Sequence, residues 1–311
     1  MLEMREACIG VAVLSWWGRP ESSSGDSQGI VTDSRVAVVL DAAHAAGVQV
    51  AWHLEPYPGR AVESVREDLL YLAKRYGAHP ALLRMPLRSA PERHGATRSD
   101  TAGAALPLCY VYDSYHIQAE EWARLLTRAG DLSVRGGAAD HVFVGLWLEQ
   151  QHGDDLARGG FDGAYTYFAS EGYSWGSTLR NWEAIRRWAT ARDKYFIASV
   201  GPGYDDTRIR PWNAHNTKLR EAGRYYDRMW EAAVQADADV VSITSFNEWG
   251  EGTQVEPARA HVDQASGEAS VDYADAGGER AYLERTARWA ERLVAHGEAA
   301  AAESGGTHTE L

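Results

Sequence analysis

Short apolar runs alternate with helix-length segments along nearly the whole of this 311-residue chain. Strands are predicted at 9–16, 48–54, 106–112, 142–148, 161–168, 195–200 and 240–245. Helices are predicted between them at 34–46, 62–76, 118–128, 178–192, 216–236 and 278–296. Val62, Val65, Leu69, Leu72 and Tyr76 recur at the spacing of one helical face. The run 48–54 is apolar except at Gln49 and His53, as in a strand buried on both faces. Strands separated by helices need crossover connections, and crossovers make a parallel sheet. The alternation therefore fixes the class as α/β. In such folds reactive side chains collect just beyond the C-terminal ends of the strands.

The punctuation agrees. Gly47 and Gly77 stop two helices, and the Ser34 hydroxyl is placed as an N-cap. No linker or internal repeat divides the chain, so residues 1–296 are expected to form one domain and 297–311 a disordered tail. Ser89 to Ala105 is polar and mixed in charge, and reads as a surface insertion.

Several function classes are excluded. A net charge of −13 repels phosphate backbones, so no nucleic-acid partner is expected. No run nears the roughly 18 apolar residues that span a bilayer, so no membrane is expected either. Met1 to Ala7 carries Glu3, Arg5 and Glu6 and lacks a secretory pattern, which points to a cytoplasmic chain. A start further upstream would leave secretion or a periplasmic location open. Cys8 and Cys109 lie in apolar stretches and read as buried thiols. The histidines show no H-E-x-x-H spacing, so no metal is expected. Gly201-x-Gly203 lacks the third glycine of a dinucleotide loop, and Gly172-Tyr173-Ser174-Trp175-Gly176 lies too far from Phe168 for a nucleophile elbow.

The aromatic content is skewed: 12 Trp and 15 Tyr against 5 Phe. Phe fills a core as well as Trp does, but Trp and Tyr add a polar tip to a flat face. The skew favours a polar, ring-shaped ligand. Four strand ends are crowded with functional groups: His53 to Arg60, Tyr112 to His116, Gly201 to Asn213, and Phe246 to Gly252. In the last, Glu248 and Glu251 flank Trp249 and Gly250. Glycoside hydrolysis needs one carboxyl protonated and one ionised, and crowding of like charge divides a pair in that way. A pair of solvated loop glutamates is the plain alternative.

The same segments carry a resemblance. HLEPYPGR (53–60), YVYDSY (110–115), GFDGAYTYFAS (160–170), SVGPGYDDTRIRPWN (199–213) and SITSFNEWGEGTQVE (242–256) resemble the endo-α-1,2-mannosidases and endo-α-1,2-mannanases, from about Met4 to about His296. The resemblance implies a (β/α)8 TIM-type barrel, without cofactor and expected as a monomer. The implied reaction cleaves internal α-1,2-mannosidic bonds of mannan or a mannose-rich oligosaccharide with retention. The implied nucleophile is the substrate's own 2-hydroxyl, acting through a 1,2-anhydro sugar. Glu248 would be the base that polarises this hydroxyl, and Glu251 the acid and then the base. Glu55, Tyr115, Tyr167 and Arg210 would contact the mannose at the cleavage point, with His53, Tyr57, Tyr112, Asp113 and Trp249 as neighbours. Trp17 stands where animal members tend to carry Tyr and bacterial mannan-degrading members Trp, which implies a mannose-only outer unit. Members carry a further N-terminal strand, so the expected barrel lacks that first strand. A carbohydrate-binding pseudoenzyme of the same fold is the alternative.

Overall fold

The computed structural model describes residues 1–20, 29, 31–88, 105–259, 273 and 275–305. The elements in chain order are α1 (Leu2–Glu6), β1 (Val11–Trp16), α2 (Asp33–Ala46), β2 (Gln49–Leu54), α3 (Val62–Tyr76), β3 (Arg84–Pro86), β4 (Ala105–Val111) and α4 (Ala119–Leu126). There follow β5 (Val142–Leu146), α5 (His152–Gly159), β6 (Gly163–Tyr165), α6 (Trp182–Ala191), β7 (Tyr195–Val200), α7 (Arg224–Gln235), β8 (Val240–Ile243) and α8 (Ala281–Gly305). The sheet order is β1-β2-β4-β5-β6-β7-β8, with β3 on the side of β4. This is the α/β barrel class, with seven strands in the series among the described residues.

Two compact units make up the chain. The first comprises Gly10–Thr166 and Ala184–Ile197. Here β1, β2, β4, β5, β6 and the start of β7 pair in parallel, each with the next. Every residue of β5 is buried, as a strand covered on both faces requires. Trp52, Leu69, Leu72, Leu108, Val142 and Phe143 fill the core. The second unit comprises Leu2–Ile9, Tyr167–Glu183 and Ala198–Leu311. There the Thr244 amide donates to the Val200 carbonyl at 2.8 Å, joining the end of β7 to the segment after β8. Tyr226 and Met229 of α7 are fully buried, and the Tyr226 hydroxyl meets Thr286 Oγ1 of α8 at 3.0 Å. Arg280 pairs with Glu3 and Glu6, holding α1 against α8.

The structure corrects several expectations. α2 begins at Asp33, and Ser34 does not cap it. The buried Asp33 carboxylate instead accepts hydrogen bonds from Trp16 Nε1 (3.0 Å) and the Tyr71 hydroxyl (2.7 Å). The helix predicted at 216–236 starts only at Arg224. Glu221, Ala222 and Gly223 all have positive φ, and a Cβ at Gly223 would lie 2.4 Å from Arg285 Nε. The strand predicted at 161–168 keeps only Gly163–Tyr165, since Tyr167 turns the chain at φ 57°. α5 and β3 were not expected: the first is short and holds a glycine, Gly153, besides its C-terminal one, and the second has three residues. α8 continues past Gly297 to Gly305 through an alanine-rich run of high helix propensity, so 297–305 is not a tail. Residues 306–311 and the insertion at 89–104 lie outside the described residues. Cys109 is buried, but Cys8 is exposed, because its segment turns at φ 57° directly after α1.

Gly163 marks the tightest approach in the first unit. A Cβ there would lie 2.7 Å from both the Tyr195 carbonyl oxygen and the Tyr195 Cβ. Backbone in a paired strand cannot give way as a side chain does. Gly163→Ala is expected to cost about 2 kcal/mol and to lower Tm by about 5 °C, read by thermal denaturation.

Candidate active site

Seven of the proposed site residues fall in the first unit, at or just beyond the ends of β1, β2 and β4. Trp17 directly follows β1, is half-buried, and has its amide 3.4 Å from Thr32 Oγ1. At the end of β2, His53 and Glu55 are both buried. His53 Nδ1 lies 2.6 Å from Glu55 Oε1, and His53 Nε2 lies 3.0 Å from the Tyr165 hydroxyl. The imidazole sits among the rings of Tyr110, Tyr112 and Tyr165. Its orientation is therefore held from both nitrogens and by its neighbours.

Two further supports set the loops. Arg60 donates to the carbonyls of Tyr112 (2.8 Å) and Asp113 (2.7 Å), fastening the loop after β2 to the loop after β4. Burial lowers the Arg60 pKa, while the charges around it, led by Asp113, pull the other way. Asp113 turns at φ 49° and its carboxylate accepts from the Tyr115 hydroxyl at 2.8 Å. The Tyr115 ring stacks on His152, with centroids 5.3 Å apart and planes 14° apart. Tyr57 is drawn away from open solvent: its hydroxyl donates to Asp68 at 2.5 Å and contacts Ser64 at 2.8 Å. Burial, followed by that bond to Asp68, raises the Tyr57 pKa. Tyr57 is thus also a support for the buried Asp68, which Arg19 reaches from the other side at 2.9 Å.

The other five residues fall in the second unit. Tyr167 adopts the left-handed conformation that L-residues avoid, a strain of about 1 kcal/mol or more. Its amide donates to Ser199 Oγ at 2.7 Å, and its carbonyl accepts from Thr244 Oγ1. These bonds hold the turn in place. The loop after β8 is closed by Ser245, whose amide donates to the Thr253 carbonyl (3.0 Å) and whose hydroxyl accepts from the Glu248 amide (2.9 Å). Glu248 is exposed, and its Oε1 accepts from the Gly250 amide at 3.0 Å. Trp249 is 43% exposed; its Nε1 donates to Glu256 and its ring meets Tyr273 edge-on at 5.8 Å.

Glu251 differs from Glu248. Its side chain is 24% exposed and its Oε1 accepts from Arg210 Nη1 at 2.9 Å. Burial raises the Glu251 pKa above the usual carboxylate range, Arg210 opposes that shift, and Glu248 and Asp206 add to it. A carboxyl with this bias retains a proton where an exposed one has lost it. Arg210 Nη1 also reaches Asp206 Oδ2 at 3.1 Å. The same Asp206 oxygen accepts from the Tyr204 hydroxyl (2.9 Å) and Asn213 Nδ2 (2.9 Å).

Sequence reasoning missed Tyr165, Tyr204, Asp206 and His152. The first three lie inside motifs already singled out. Tyr165 is two residues from Tyr167 at the end of a strand, and Asp206 precedes Arg210 by four, a spacing that ion pairs use. Ser174, the serine of the G-x-S-x-G pattern, is buried and bonded to Ser177 at 3.1 Å, so it is not presented as a nucleophile. Among the described residues no group of three or more His, Cys, Asp or Glu side chains is arranged to hold a metal ion. No helix among them is long and apolar enough to cross a membrane.

Residues 1–295 match the family model described as glycosyl hydrolase family 99. The chain belongs to glycosyl hydrolase family 99. It is 42% identical over 301 residues to a mouse glycoprotein endo-alpha-1,2-mannosidase-like protein, which covers 94% of this chain and 61% of the relative. It is 41% identical over 292 residues to rat glycoprotein endo-alpha-1,2-mannosidase, covering 94% of this chain and 59% of that protein. The chain thus spans about three fifths of these relatives' length. A solved endo-alpha-mannosidase of the family from Bacteroides thetaiotaomicron superposes with a TM-score of 0.82 at 39% identity, over 96% of this chain and 83% of that one.

The raised Glu251 pKa has a consequence for this family 99 chain. A carboxyl whose folded pKa is raised stabilises the fold below its unfolded pKa, and that contribution is lost as pH rises through the folded value. Glu251→Gln removes the ionisation. The variant is expected to melt above wild type at pH 8, with the difference vanishing by about pH 4. Melting curves across that range check the sign.

Proposed function

We propose that this family 99 chain is a retaining, endo-acting glycoside hydrolase that cleaves internal α-1,2-mannosidic linkages of mannan or mannose-rich glycans. The observation that carries the reading is the contrast between Glu248 and Glu251. One is exposed, and the other is part-buried beside Arg210, with burial raising its pKa. That contrast supplies a base and an acid within one four-residue stretch of loop.

In the proposed reaction Glu248 takes the proton of the mannose 2-hydroxyl as that oxygen attacks the sugar's own anomeric carbon, and returns it to the same oxygen when the anhydro ring opens. Glu251 gives its proton to the departing glycosidic oxygen. The resulting 1,2-anhydro sugar is opened by water, from which Glu251 takes a proton back. Two inversions leave the configuration retained. Direct attack by a carboxylate, the commoner retaining route, is not part of this scheme. Glu55, Tyr115, Tyr167 and Arg210 are assigned to the mannose at the cleavage point. His53, Tyr57, Tyr112, Asp113 and Trp249 are assigned as neighbours. The exposed face of Trp249 suits stacking on a sugar. Trp17 is assigned to an outer unit that is mannose without added glucose, as in a bacterial mannan-degrading member. The pseudoenzyme alternative is not favoured by a chain that keeps both glutamates and the arginine.

Incubation with an α-1,2-linked mannan is expected to release oligosaccharides of retained configuration, read by chromatography and NMR. No release from the folded protein overturns the reading. Glu251→Gln is expected to lose about 10²–10⁴-fold in rate on that mannan and much less on an aryl glycoside whose leaving group needs no proton. Equal losses on both substrates would remove the acid role.

A further inference from the structure

We propose that Asp206 is a positioning residue that shares the Arg210 guanidinium with Glu251 and so sets where Glu251 ionises. The proposal rests on the acid role given to Glu251 above, but its geometry stands by itself. Asp206 is fully buried, and a buried carboxylate must be paired to keep its charge. Its Oδ2 takes three donors: Tyr204 at 2.9 Å, Asn213 at 2.9 Å and Arg210 Nη1 at 3.1 Å. The same Nη1 also donates to Glu251 Oε1 at 2.9 Å. One nitrogen therefore serves two carboxylates. The loop that carries Asp206 is fixed to the loop that carries Glu251, because the Asp205 amide donates to the Glu251 carbonyl at 2.9 Å.

This arrangement answers a problem in acid catalysis. An arginine alone beside Glu251 would strongly favour the carboxylate, which cannot give a proton to the substrate. With Asp206 on its other side, the guanidinium faces two anions, and Glu251 receives only part of its stabilisation. The negative charge of Asp206 also acts on Glu251 directly. The charged and titratable groups acting on Glu251 are Arg210, Glu248 and Asp206, with Tyr204 close enough to interact. Burial works against Asp206 itself, but the bonds from Asn213, Arg210 and Tyr204 outweigh it and hold its pKa below the usual value. Asp206 accordingly stays ionised over the range in which Glu251 titrates.

The test is the titration of Glu251 by carboxyl-carbon NMR, assigned by the resonance that Glu251→Gln removes. Asp206→Asn keeps an acceptor for Arg210 and deletes the charge. Glu251 is then expected to titrate about one pH unit lower, and the alkaline limb of kcat/KM on mannan is expected to move down with it. An unchanged or higher Glu251 pKa overturns the proposal, whatever happens to activity. Tyr204→Phe leaves the charge but removes one donor, so Asp206 draws more on Arg210. Glu251 is then expected to shift in the opposite direction, upward. Should Asp206→Asn fail to fold, a Tyr204→Phe protein with Glu251 unchanged or lowered overturns it equally. Wild-type protein that releases nothing from mannan would refute the function reading and leave the titration result to judge Asp206 separately.

Discussion

Burial on both faces of the strands β2, β5 and β7 is the constraint on which the rest depends. Every residue of β5 and β7 is buried, and so are five of the six residues of β2. Such strands have no solvent face along which to display chemistry. Polar side chains are restricted to strand ends, where the chain leaves the sheet and still has rigid backbone behind it. His53 shows the limit: it is buried within β2, yet both ring nitrogens face polar partners, Glu55 and Tyr165. The loops then inherit precision from the sheet through bonds such as those of Arg60 to the carbonyls of Tyr112 and Asp113.

Buried carboxylates recur as the means of holding these loops. Asp33 gathers Trp16 and Tyr71, Asp68 gathers Tyr57 and Arg19, and Asp206 gathers Tyr204, Asn213 and Arg210. Each is less than 4% exposed. A lone buried charge would be costly, and removing one partner of a paired one is strongly destabilising. The pairing therefore gives little net stability and much directional control: it determines which rotamers Trp16, Tyr57 and Arg210 adopt. That is why so many aromatic hydroxyls and indole nitrogens in this chain end on acids. The excess of Trp and Tyr over Phe serves the scaffold as well as any sugar.

The sequence allowed the class, the strand series and α3 to be read because these depend on local periodicity and on glycine stops. Val62–Tyr76 and Tyr195–Val200 match their predicted bounds residue for residue. What could not be read depends on partners distant in sequence. Nothing near Ser34 says that Asp33 is claimed by Trp16 and Tyr71. Nothing near Asn216 says that Arg285 closes over Gly223 and stops a helix from running through. The candidate site divides in the same way. Its residues were legible as clusters and through the family resemblance. The roles of Tyr165 and Asp206 emerge only from contacts spanning 112 residues to His53 and, through Arg210, 41 residues to Glu251.

The contrast between the two glutamates is built into the loop that carries them. Two residues, Trp249 and Gly250, separate Glu248 from Glu251. A Cβ at position 250 would stand 3.0 Å from Glu248 Oε1 and 3.2 Å from Ile209 Cδ1. The small residue lets its own amide approach the Glu248 carboxylate and lets the next residue turn inward, where Arg210 waits on Asp206. One carboxylate is thus stabilised by a backbone amide at the surface. The other is drawn into partial burial, which favours its protonated form. Like charge alone would not decide which of two neighbouring glutamates keeps the proton. Burial biases Glu251 toward its protonated form, with Gly250 in the same loop and Asp206, on a different loop, sharing its arginine.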